Sequence, residues 1–192
     1  MRTAEITRKT KETDIAVKLN LDGSGKVDVS TGIGFFDHML TAFAVHGKMD
    51  LTLKVKGDLY VDGHHTVEDT GIVLGTAFKQ AIGDMKGIAR YGTAFIPMDE
   101  ALGFCCLDIS NRPFLVFDAE FSDDRIGEFD TCLTEEFFRA FAFNAGITLH
   151  LKSEYGKNDH HIAEALFKSC AHAIKVSKAV VGTEILSTKG VL

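Results

Sequence analysis

The chain has 192 residues, of which 45% are apolar and 25% charged, with a formal net charge of -6. This length supports a full core without disulfides, the acidic balance argues against nucleic-acid binding, and no apolar run approaches the ~18 residues of a membrane span. The polar stretch 1–13 is not a signal peptide, and Cys105, Cys106, Cys132 and Cys170 lack CxxC spacing, so they are expected to be reduced, mostly buried thiols of a cytosolic protein.

Along the chain, Ile15, Val17, Leu19 and Leu21 alternate as in a strand. The turn Asp22-Gly23-Ser24-Gly25 leads to a second strand near Val27 and Val29, as in a hairpin. Residues 35–45 carry apolar side chains at helical spacing, and Leu51, Leu53 and Val55 alternate again. His64-His65-Thr66-Val67-Glu68 follows, opening an apolar helical stretch over 72–82. Beyond a boundary near residues 90–92, stretches 101–109 and 114–121 read as a strand pair and 135–144 as a helix. Ile147, Leu149 and Leu151 form a further strand, and His160-His161-Ile162-Ala163-Glu164 opens a last helix over 166–176.

This second series repeats the first. Asp37-His38-Met39-Leu40 falls on Glu135-Glu136-Phe137-Phe138, and Leu51-Thr52-Leu53 falls on Leu149-His150-Leu151. A two-residue shortening then superposes the two His-His-x-x-Glu motifs. The expected fold is α+β, two similar halves (about 1–91 and 92–192) of strands plus helices, packed as one unit about a pseudo-twofold axis.

The motif has a specific geometry. His64 and Glu68 share one helical face while His65 points elsewhere, and the same holds for His160, Glu164 and His161. One motif can therefore serve two metals. Imidazole and carboxylate donors without thiolate suit Mn, Fe or Zn better than Mg or Ca. The repeat adds His38 and its counterpart Glu136, giving eight candidate ligands. Spacing suggests His38, His65, His160 and Glu164 as one set and His64, Glu68, Glu136 and His161 as the other, with neighbouring subunits as an alternative source. His46 reads as a substrate contact, His150 as a surface or supporting residue and His172 as solvated. A lone HHxxE would be weak, and Glu136 alone would read as a charge favouring a helix N-terminus; the paired occurrence decides for metal.

These motifs, with Phe35-Phe36-Asp37-His38-Met39-Leu40, Gly87-Ile88-Ala89-Arg90-Tyr91-Gly92, Asp108-Ile109-Ser110-Asn111-Arg112-Pro113 and Ser187-Thr188-Lys189-Gly190, resemble the signatures of imidazoleglycerol-phosphate dehydratases, in order and spacing from about Arg8 to Leu192. The resemblance implies a duplicated fold like the second domain of ribosomal protein S5. It implies a hydro-lyase of histidine biosynthesis with two Mn2+ per active site, and trimers assembling into a 24-subunit shell with active sites between subunits. It further implies that Glu12 is the acid/base glutamate, acting with His38 and His46, and that Arg90, Arg112, Lys168, Ser187, Thr188 and Lys189 hold the substrate, chiefly its phosphate. His38, His46 and the motif residues also line the implied substrate site. Three departures stand out: Asn111 for a usual Gly, His172 for a common Arg, and Glu136 where many relatives have His. The chain is short and opens directly in the repeat, so one activity without a fused phosphatase is expected.

The chemistry implied is loss of water from a diol beside an imidazole ring. The proton to be lost is barely acidic, so imidazolate stabilised by cations first expels the neighbouring hydroxyl. The resulting diazafulvene acidifies the adjacent C–H for a carboxylate such as Glu12, and the enol becomes a ketone. A dinuclear metallohydrolase or a non-catalytic metal-binding shell protein could use the same ligands; detection of the ketone product separates the three.

Overall fold

The computed structural model describes residues 1–192. Two four-stranded sheets carry the halves. The first contains β1 (Thr3–Lys9), β2 (Thr13–Asn20), β3 (Val27–Ser30) and β4 (Asp50–Gly57) in the order β1-β2-β4-β3. The second contains β5 (Tyr91–Met98), β6 (Ala101–Ile109), β7 (Phe114–Asp118) and β10 (Ile147–Tyr155) in the matching order β5-β6-β10-β7. A short hairpin, β8 (Arg125–Ile126) with β9 (Phe129–Asp130), occurs in the second half only.

Four helices complete the fold: α1 (Gly34–His46), α2 (His64–Ile82), α3 (Leu133–Ala145) and α4 (Asp159–Ser177). The principal helix contacts cross between halves, α1 on α4 and α2 on α3, while α2 also covers β1 and β2 and α4 covers β5 and β6. Alternating strand residues turn inward, Ile15, Val17 and Leu19 from β2 and Cys105, Leu107 and Ile109 from β6, and one apolar cluster spans both halves. Phe36, Phe43, Phe137, Phe141 and Phe167 are fully buried in it.

Two expected strand pairings are corrected. β2 does not form a hairpin with β3; it pairs antiparallel with β1 and β4, and β3 lies beyond β4, parallel to it. The physical reason is Asp50, whose Oδ1 accepts the backbone N–H groups of Ser24, Gly25 and Lys26 at 2.8, 3.1 and 2.9 Å and carries the loop past β4. Likewise β6 pairs with β5 and β10, whereas β7 ends at Asp118 and runs parallel to β10. The edge strands β1 and β5 have no counterpart in the sequence reading. Of the cysteines, Cys105 and Cys170 are buried, Cys106 is half-buried and Cys132 is exposed, against the expectation that most are buried; all four are free.

Candidate metal centre and substrate site

Both HHxxE motifs begin helices, and each helix start is held by an Asx side chain two residues before the first histidine. Asp62 accepts the His64 N–H at 2.8 Å, and Asn158 accepts the His160 N–H at 2.9 Å, satisfying donors a helix start leaves open. The i,i+4 pairs then meet as expected: His64 Nε2 lies 3.6 Å from Glu68, and His160 Nε2 lies 3.2 Å from Glu164.

Because α1 packs on α4, His38 joins the second motif. His38 Nε2 is 3.5 Å from the Glu164 carboxylate, and the ligand atoms of His38, His160 and Glu164 all lie within 4.8 Å of one another. Glu164 is buried, whereas both imidazoles reach the surface. Burial raises the Glu164 carboxyl, but the Lys168 ammonium, bonded to it at 2.6 Å, and His38 outweigh burial and leave it below the usual range. An ionised carboxylate beneath two imidazoles is a donor set that fits a divalent transition metal.

The four-residue sets are not gathered within one chain. His65 is absent from the His38 cluster and lies beside Asp58 and Glu12. His161 lies beside Glu100 and Asp99 rather than His64 and Glu68. Each second histidine points away from its own motif's first histidine, as the helix dictates, so a chain presents its ligands in separate groups. Glu136, on α3, pairs with Arg139 at 3.3 Å. The Glu135 hydrogen bond, and behind it the charges of Glu136 and Glu68, outweigh burial and raise the Arg139 guanidinium. Glu136 and Glu68 thus share a neighbourhood without closing a cluster.

Glu12 sits at the β1–β2 turn, half exposed, with Oε1 3.8 Å from His65 Nε2. The turn is anchored by Asp69, the residue after the first motif: its carboxylate accepts the buried Thr13 hydroxyl and pairs with Arg8 at 2.6 Å. Motif and acid/base candidate are thereby tied together by a contact sequence reading missed.

Arg90, Arg112, Ser187, Thr188 and Lys189 line one cavity of about 680 Å³. Arg90 is only 7% exposed and largely engaged: Nε and Nη2 donate to Asp108 at 2.7 and 3.0 Å, and Nη1 donates to the Leu186 carbonyl at 2.5 Å. Arg112 and Lys189 are the freer cations. Asn111, before Arg112, has φ +56°, a left-handed conformation in which Asn is the favoured substitute for Gly, so the departure keeps the turn. None of the histidines lines this cavity.

His172 is not solvated. It is half-buried, with Nε2 3.1 Å from His46 Nδ1. Burial, then the Lys168 charge, lowers the His46 pKa; burial and Lys175 lower that of His172. His150 is exposed, as expected.

The chain resembles known proteins over its whole length. A family model described as imidazoleglycerol-phosphate dehydratase matches residues 31–174. The imidazoleglycerol-phosphate dehydratase of Acetivibrio thermocellus is 57% identical, covering 100% of this chain and 99% of its own length. That of Ruminiclostridium cellulolyticum is 58% identical with 100% of both chains covered. The crystal structure of the Staphylococcus aureus enzyme superposes with a TM-score of 0.83 at 38% identity, covering 94% of this chain and 99% of that one. The Pyrococcus furiosus structure, in complex with (S)-C348, gives a TM-score of 0.84 at 38% identity over 97% of this chain and 100% of that one. The chain belongs to the imidazoleglycerol-phosphate dehydratase family.

Proposed function

We propose that this chain dehydrates imidazoleglycerol phosphate to the ketone imidazole-acetol phosphate with two Mn2+ ions per active site, each site assembled between subunits. The observation that carries the reading is the convergence of His38, His160 and Glu164, three ligand atoms within 4.8 Å. His65 would join this set from another copy. By the repeat, His64, Glu68 and Glu136 form the second set, with His161 from another copy. Bound there, divalent cations supply Lewis acidity that favours the deprotonated imidazole ring.

The chain's own residues do the rest. Glu12 is exposed enough to reach substrate and lies within 3.8 Å of the ring nitrogen of His65, so it removes the carbon-bound proton, assistance typically worth ~10²–10⁴-fold. Arg112 and Lys189 pair with the phosphate, with Ser187 and Thr188 beside them in the same cavity. Arg90 holds the segment at Leu186 that carries these groups and lines the same cavity. Lys168 lies beside Glu164, and its charge reaches His46.

Sites shared between copies are supported by two features. The phosphate cavity and the cation cluster have no lining residue in common. The β5-β6-β10-β7 sheet also turns Tyr91, Phe95 and Phe114 outward at 52, 56 and 57% exposure, an apolar face that association covers. The assembly proposed is trimers forming a 24-subunit shell, in the cytoplasm; no helix is long and apolar enough to cross a membrane. Incubating the purified protein with Mn2+ and imidazoleglycerol phosphate should yield the ketone. Hydrolysed phosphate as the product would instead indicate a dinuclear hydrolase, and no turnover at full metal loading would indicate a storage or assembly protein.

A further inference from the structure

The second histidine of each motif is oriented by a carboxylate that neither spacing nor motif reveals. His65 Nδ1 lies 3.1 and 3.2 Å from the two Asp58 oxygens, and His161 Nδ1 lies 2.7 Å from Glu100 Oε2. A carboxylate only accepts, so Nδ1 carries the proton in both rings and the Nε2 lone pair is left outward. Nε2 is also the atom that His38, His64 and His160 direct at the carboxylates of their sets. Both acceptors are well fixed: the Asp58 side chain is 12% exposed, and Glu100 Oε1 accepts the Lys157 and Asn158 N–H groups at 3.1 and 2.8 Å.

Sheet register adds a relation between the two halves. Ile6 pairs with Val17 and Ala94 with Cys105, so a shift of 88 residues carries the β1–β2 hairpin onto the β5–β6 hairpin. The same shift carries Glu12 onto Glu100. The two glutamates therefore occupy one position of the duplicated fold, and each lies against the second histidine of the motif in its own half. They differ in which nitrogen they approach. Glu100 bonds Nδ1 of its histidine; Glu12 faces Nε2, because Asp58 already holds Nδ1. At the end of β10, the place after Gly57 that Asp58 fills is taken by Gly156, which offers no side chain.

We infer that Glu100 and Asp58 are positioning residues that hold the His161 and His65 rings for cation binding through Nε2, and that Asp58 frees Glu12, the counterpart of Glu100, for proton transfer. The inference rests on the two-cation reading above, and the test separates the two. Mn2+ binding is titrated by the electron paramagnetic resonance of free Mn2+ in the intact assembly. Wild-type protein that binds no Mn2+ would remove the two-cation reading itself. If wild type binds, Glu100→Ala and Asp58→Ala should each weaken one class of site by ~10–100-fold. Glu100→Gln, whose amide oxygen still accepts from Nδ1–H, should recover part of the loss. In a His161→Ala background, Glu100→Ala should have no further effect on binding. Glu12→Ala should show the opposite split, with Mn2+ affinity near wild type and kcat lost. Wild-type affinity in folded Glu100→Gln and Asp58→Asn together with both alanine variants would overturn the inference, as would an undiminished Glu100→Ala effect without His161.

Discussion

The helix pairs α1/α4 and α2/α3 hold equivalent places in the repeat, yet only the first gathers its candidate ligands. On α2, Gly71 and Gly75 lie directly on α3: a Cβ at Gly71 would come within 2.8 Å of the Phe137 carbonyl oxygen, and at Gly75 within 2.5 Å of the Phe141 carbonyl oxygen. Their counterparts on α4 are Phe167 and Ala171. The Phe167 ring is buried against Phe137 and Phe138, with centroids 5.2 and 4.7 Å away. On α1, Thr41 stands where α3 has Arg139; the Thr41 hydroxyl bonds back to the Asp37 carbonyl at 2.7 Å and leaves His38 free. Arg139 instead bridges to Glu135 and Glu136 at 2.9 and 3.3 Å. The repeat places candidate ligands at matching positions, and the neighbours decide which set stands preassembled.

The largest expected effect breaks the preassembled set. Glu164→Ala should lose one ion per subunit and lower kcat/KM by roughly 10²-fold or more, since Lewis-acid stabilisation is worth several kcal/mol. Glu68→Ala should do the same through the other set. Atomic absorption after dialysis, with steady-state kinetics, checks both; an effect confined to Glu164→Ala would mean that the α2/α3 set holds no cation.

Glu12→Gln leaves both sets intact and should lower kcat by ~10²-fold at unchanged metal content. Near-normal turnover in this variant excludes the proton-transfer role.

A smaller effect belongs to the proposed phosphate cavity. Lys189→Ala should raise KM by roughly 10–100-fold, the equivalent of a lost charge-assisted hydrogen bond. Arg90→Ala should add a fall in stability of about 1–3 kcal/mol, because the largely buried Asp108 carboxylate then keeps only its longer contact to Arg112 at 3.3 Å. Thermal denaturation beside kinetics separates the two; equal melting of the variants would return Arg90 to the role of a simple phosphate ligand.

Acid should release metal. The Asp58 hydrogen bond raises the His65 pKa and the Glu100 hydrogen bond raises that of His161, and a protonated ring cannot ligate. Mn2+ affinity should therefore begin to fall above pH ~6.5, the ordinary histidine value, and continue downward. In the metal-free chain the sign reverses: these pairs stabilise the fold below the unfolded value, and their contribution is lost as pH rises through the folded one. Mn2+ affinity that stays flat from pH ~7.5 to ~6 would contradict the account.

Much of this was legible in the residues. The HHxxE spacing fixes a helical face, so the His64–Glu68 and His160–Glu164 pairs followed from periodicity alone, and the repeat pointed to His38. Strand partners were not legible, because alternation marks a buried face without naming the neighbour; Asp50, distant in sequence, routes β3 past β4. Glu100 escaped because the β1–β2 and β5–β6 hairpins share register but almost no side chains. The His46–His172 contact depends on how α1 lies on α4, which neither helix encodes alone.

Two equivalent cation sites built from one duplicated unit are the central claim, and Glu136 is their least assembled member. Counting Mn2+ per subunit in wild type, Glu136→Ala and Glu136→His tests it most directly. Two ions are expected in wild type, one in the alanine variant and two again with histidine, which restores the type found at His38. Two ions retained in Glu136→Ala would reduce Glu136 to a helix-end charge paired with Arg139, worth ~0.3–1 kcal/mol, and would contradict the equivalence of the halves.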